Sequence, residues 1–76
     1  MEFVFPQYRK LEGFGRYYKI HDERNFEEVS VMNETIHRSF VEAKQYPEIL
    51  RIQDMLSESW SFRTMSDEEI QTYFQE

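Results

Sequence analysis

The chain has 76 residues, a mass of 9.4 kDa, a net charge of −6, no cysteine and 13 aromatic residues (seven Phe, five Tyr, one Trp). This length supports one small core, and so dense an aromatic content is incompatible with a solvated coil. The lack of cysteine excludes a disulfide framework, a thiolate zinc site and a cysteine nucleophile, and the longest apolar run, Phe3-Val4-Phe5, is too short for a membrane span or signal-peptide core.

Taken in order, Phe3–Phe5 and Tyr8 are β-formers, and Pro6 confines any strand there to an edge or an interruption. Glu12-Gly13-Phe14-Gly15 reads as a turn opening into an aromatic strand that ends at Ile20. Phe14, Arg16, Tyr18 and Ile20 fall on one face of that strand, and Tyr17 and Lys19 on the other. His21–Asn25 is wholly polar and predicts a surface loop. Phe26–Met32 predicts a strand with Val29 and Val31 on one face and Phe26 out of phase with them. Asn33-Glu34 predicts a hairpin turn. Residues 35–45 fit a helical stripe of Ile36, Phe40 and Ala43 as well as a strand. The β-branched and aromatic residues Thr35, Ile36, Phe40 and Val41 favour the strand.

Pro47 at a first helical turn, followed by Glu48 and the stripe Ile49, Ile52 and Leu56, predicts a helix over 47–57. Trp60, Phe62 and Thr64 alternate as a short strand. Ser66 and Glu69 form a capping box for a helix over 67–75 whose apolar stripe is Ile70, Tyr73 and Phe74. The expected fold is α+β, in one domain over 1–76: a small, mostly antiparallel meander of about three to five short strands with two helices packed on one face. Phe5, Phe14, Tyr18, Phe40, Trp60, Phe62 and Phe74 are the expected core rings.

The sequence offers little chemistry. His21-Asp22-Glu23 sets three potential ligands side by side, but adjacent residues rarely converge on one ion and His37 lies far away, so no metal or cofactor site is expected. The serines lack a nucleophile setting, and the pairs Glu27-Glu28 and Glu68-Glu69 point their members apart, so no catalytic residues are assigned and an enzyme is not expected. Gly13-Phe14-Gly15 departs from the base-stacking strand motif of RNA-recognition domains, because Glu12 stands where a basic residue belongs and Arg16 where an aromatic does.

The expectation is a small, acidic, cytoplasmic, non-enzymatic interaction module. Its partner is another protein or a second copy, and it acts through spare tyrosines and an edge strand open to β-augmentation. Tyr8, Arg9, Lys10, Arg16, Tyr17, Lys19, Tyr46 and Tyr73 are the candidate interaction surface. Two alternatives stand beside it. Single-stranded nucleic acid would bind the basic and aromatic residues 8–19, although the charge of −6 disfavours this partner and an anionic membrane. An acidic regulator would dock on a basic protein through Glu27, Glu28, Glu68 and Glu69.

Overall fold

β1 (Gln7–Leu11), β2 (Arg16–Ile20), β3 (Asn25–Met32), β4 (Thr35–Glu42), α1 (Tyr46–Leu56), β5 (Phe62–Thr64) and α2 (Asp67–Phe74) follow one another in a computed structural model that describes residues 3–75. The strands form one antiparallel sheet in the spatial order β4-β3-β2-β1-β5. The class is therefore α+β, and residues 35–42 are a strand. Asn33 (φ 49°) and Glu34 (φ 67°) are both left-handed, the pattern of the two-residue turn whose twist matches its flanking strands. That turn locks the register from Met32↔Thr35 to Asn25↔Glu42.

The two helices do not share a face. Tyr18 and Tyr17 are neighbours on β2 and point to opposite sides of the sheet. Arg51 of α1 donates to the Tyr18 hydroxyl at 3.0 Å, whereas Tyr73 of α2 stacks on Tyr17 with ring centroids 3.9 Å apart. The reason is the position of β5. It pairs with β1 at the edge of the sheet, so the chain leaves α1 on one side, passes along the edge, and emerges on the other side as α2. Covering both faces also explains the phase of β3. Phe26 is buried among the residues beneath α1, and Val29 is fully buried between Tyr17 and Arg38, both of which reach α2. No bulge is needed.

The larger core layer contains Tyr18, Ile20, Phe26, Ala43, Ile52, Met55 and Phe62. It also holds one charged side chain. Arg9 on β1 is only 5% exposed, and it donates from Nε to the Met55 carbonyl (3.0 Å), from Nη2 to Leu56 (3.3 Å) and from Nη1 to Tyr8 (2.9 Å). The last turn of α1 has no basic residue of its own. The N–H groups of Ser57, Glu58 and Ser59 reach the Gln53, Met55 and Asp54 carbonyls, and Arg9 on the sheet adds a second donor to Met55 and supplies the one to Leu56. Burial pulls the Arg9 pKa down from the usual guanidinium range, and Glu58 opposes that pull.

The second layer is thinner. α2 buries none of its residues fully. It is attached by the Tyr17–Tyr73 stack, by Phe74 against Tyr8 (5.7 Å), by a hydrogen bond from Arg38 to the Tyr73 carbonyl, and by Lys10 to Glu69 (3.1 Å). The expected capping box is present, with Ser66 Oγ accepting from the Glu69 N–H and the Glu69 carboxylate accepting from the Ser66 N–H. A hydrogen bond with Tyr73, and then burial, push the Tyr17 phenol up to about 12 from its ordinary 10. An undocked Tyr17 releases its proton nearer 10, so between pH 10 and about 12 the docked state binds more protons than the undocked one. The contribution of Tyr17 to docking α2 is therefore whole below pH 10 and is lost as pH rises through this window. Tyrosinate absorbance at 295 nm and α2 amide shifts, followed together, should move in step there. Release of α2 already complete at pH 9 would contradict this account.

Candidate interaction surfaces

The structure redistributes the aromatic side chains. Tyr18, Phe26 and Phe62 are core, but Phe14 (65%), Phe40 (64%) and Trp60 (83%), all expected inside, are exposed. Each displacement has a local cause. β2 begins only at Arg16, so Phe14 rides on the preceding turn between Gly13 and Gly15, both with positive φ. A Cβ on Gly15 would sit 3.1 Å from the Val31 carbonyl oxygen, so the turn depends on glycine at this point. Trp60 precedes β5 in a left-handed conformation (φ 59°), which breaks the alternation with Phe62. Phe40 lies on β4, beside the short α2, which spans about 12 Å at 1.5 Å per residue.

The eight residues of the basic and aromatic set are separated by the two-residue period of the strands. Tyr8, Lys10, Tyr17 and Lys19 share the face under α2, where Tyr73 joins them and Lys19 Nζ lies 5.9 Å from the Tyr8 ring centre. Arg9 and Arg16 belong to the opposite face. Arg9 is buried and is no surface residue, whereas Arg16 is exposed. Tyr46 is 70% exposed at the start of α1. The structure thus gathers Tyr8, Tyr17 and Tyr73 into one cluster, but its rings are used to hold α2.

The acidic pairs are divided in the same way. Glu27 contacts His21 (3.1 Å) and Arg38 (3.8 Å), while Glu28 on the other face contacts Arg51 (3.0 Å). Glu69 serves its own cap and Lys10. The His21–Asn25 loop closes on itself, since Asp22 accepts from the Arg24 N–H and the Asn25 side chain, and these bonds hold its carboxyl below the usual range. Among the described residues no three of His, Asp and Glu are grouped to hold a metal ion, and no helix is long and apolar enough to cross a membrane.

The two sheet edges differ sharply. At β5 three of the four outward backbone groups are already satisfied. The Phe62 N–H donates to the Ser59 carbonyl (3.1 Å), the Thr64 N–H to the Glu58 carboxylate (3.1 Å), and Arg63 Nη1 donates to the Phe62 carbonyl (2.7 Å). This is a closed edge. At β4 the hairpin turn fixes the alternation. Met32 and Thr35 exchange hydrogen bonds, so Ile36, Arg38 and Phe40 turn their backbone N–H and C=O groups outward. Among the described residues no side chain or loop covers this eight-residue edge, and Ile36 and Phe40 project from it 52% and 64% exposed. A long, regular, uncovered edge that exposes Ile36 and Phe40 is a template for another strand.

A second apolar surface lies at the far end of the sheet. Phe14 from the β1–β2 turn and Trp60 from the α1–β5 loop flank a groove of about 410 Å³ floored by Leu11 and Phe62, with Arg51 and Asp54 of α1 along one wall. Neither the aromatic surplus nor the strand pattern marks this groove in the sequence. The available signal is Gly-Phe-Gly and a lone Trp in a serine-rich turn. Compared with protein-family models, with curated proteins and with solved structures, the chain matches none.

Proposed function

We propose that the protein is a non-enzymatic interaction module that pairs with a second copy of itself through the β4 edge, extending two sheets into one. The supporting observation is the contrast between the two edges: β5 satisfies three of its four outward backbone groups, and β4 offers Ile36, Arg38 and Phe40 unpaired. The charges select the register. In an antiparallel two-fold pairing centred on Phe40, the two Phe40 rings lie opposite one another, and Arg38 of each chain faces Glu42 of the other twice over. A pairing centred on Arg38 would instead oppose two guanidinium groups. Edge pairing of this kind buries a modest area, so the expected affinity is micromolar.

The test is molar mass by light scattering across dilution. The native chain is expected to be dimeric at high concentration. Arg38→Glu and Glu42→Arg should each give monomer, because each places like charges across the interface. The double exchange, Arg38→Glu with Glu42→Arg, should restore the dimer. A native chain that is monomeric at 200 µM overturns self-pairing, and a double exchange that stays monomeric overturns the register.

A further inference from the structure

The geometry points to a second binding site, independent of the β4 edge: the groove between Phe14 and Trp60 takes an extended peptide segment bearing an arginine side chain. Three observations carry this. Trp60 is held in its exposed position. Its left-handed backbone is fixed by Arg63 Nη1, which donates to the Trp60 carbonyl (3.3 Å), while the preceding Ser59 and Glu58 accept from the following Phe62 and Thr64. A bulky residue with positive φ persists only where its surroundings impose it, and such outliers cluster at ligand clamps. Phe14 is likewise presented by a turn that requires its glycines, so both walls are preorganised and binding orders little.

The charges then choose the ligand. Arg51 in the groove wall is already engaged by the Glu28 carboxylate and the Tyr18 hydroxyl, both at 3.0 Å. Asp54 in the same wall has no side-chain hydrogen bond or ion pair among the described residues. Around the groove, Arg63 is engaged by the Trp60 and Phe62 carbonyls, Arg16 lies exposed across from Leu11 on β2, and Glu12 follows Leu11, its N–H donating to the Ser61 carbonyl. A free carboxylate beside an exposed indole is complementary to a guanidinium, which stacks flat on the ring and pairs with the acid. The apolar floor of Leu11 and Phe62 suits an aliphatic neighbour of that arginine.

Trp60 is the only tryptophan, so its emission reports the site directly. The probe is the blocked peptide acetyl-Leu-Pro-Arg-Leu-amide, with the same peptide carrying Gln for Arg as control. A saturable change in emission is expected with the arginine peptide, at least tenfold weaker with the Gln control and at least fivefold weaker for Asp54→Asn. Trp60→Gly, followed by calorimetry, should lose at least tenfold in affinity while its Tm stays level or rises, because glycine suits the left-handed backbone. That combination separates binding from folding. Equal responses to the two peptides, no saturable response at 5 mM, or a response only to a short single-stranded oligonucleotide would overturn the assignment. Because the groove lies beyond β1 and β5, Arg38→Glu should bind the peptide as the native chain does. A groove that fails in the native chain leaves the dimer test unaffected.

Discussion

Arg9→Ala is expected to cost about 3 kcal/mol of folding stability, an unusually large effect for a charged residue on a strand. The guanidinium is almost fully enclosed, and in losing it the Leu56 carbonyl at the end of α1 loses its donor and the Met55 carbonyl is left with only the Glu58 N–H, both close to the core. Unsatisfied buried acceptors cost about 1–3 kcal/mol, and the lost packing of the aliphatic stem adds to this. A chain of this length has about 4–11 kcal/mol in total, so the variant should unfold at much lower urea. Arg9→Lys is expected to recover about half of the loss. It restores charge and stem but not the planar fork that reaches two carbonyls at once. Urea unfolding followed by circular dichroism measures both. A loss below about 1 kcal/mol for Arg9→Ala would show that water satisfies those carbonyls equally well.

Phe26→Ala should be more damaging still, at about 3–5 kcal/mol. The ring is 1% exposed, lies 6.0 Å from the Tyr18 ring centre and is covered by the Arg51 guanidinium at 5.8 Å. Truncation removes its transfer free energy and leaves a cavity between two layers that cannot collapse without moving α1. Phe40→Ala is the matched control. The same chemical change on the neighbouring strand is expected to alter stability by no more than about 0.5 kcal/mol at concentrations where the chain is monomeric. Thermal unfolding of both variants at nanomolar concentration, followed by Trp60 emission, makes the comparison. Similar losses for the two would mean that β4 is covered in solution even as a monomer.

The pair Phe26 and Phe40 also shows how far the sequence can be read. Both are phenylalanines on strands, and their local patterns rank Phe40 as core and Phe26 as out of phase. The structure reverses the ranking, because burial depends on which element lies over each face. α1 covers Phe26, and α2 ends alongside β4 with Phe40 left open. The same limit applies to the candidate surface. Residues 8–19 look continuous in sequence, yet strand geometry sends Arg9 into the core, Tyr8 and Tyr17 under α2, and Arg16 to solvent.

By itself the sequence determined the local elements and their ends. Asn33-Glu34 made the hairpin, Pro47 and Glu48 started α1, Ser66 and Glu69 capped α2, and alternating β-formers made the strands. Each of these depends on residues within a few positions of one another, where propensity and capping act. Only the tertiary structure decided that the helices lie on opposite faces, that Arg9 completes a helix 46 residues away, that one sheet edge is closed and the other open, and that Trp60 and Phe14 meet across a groove. These outcomes turn on contacts between distant segments. The two-residue period of a strand divides its side chains between two faces, but it carries no record of what will cover either one.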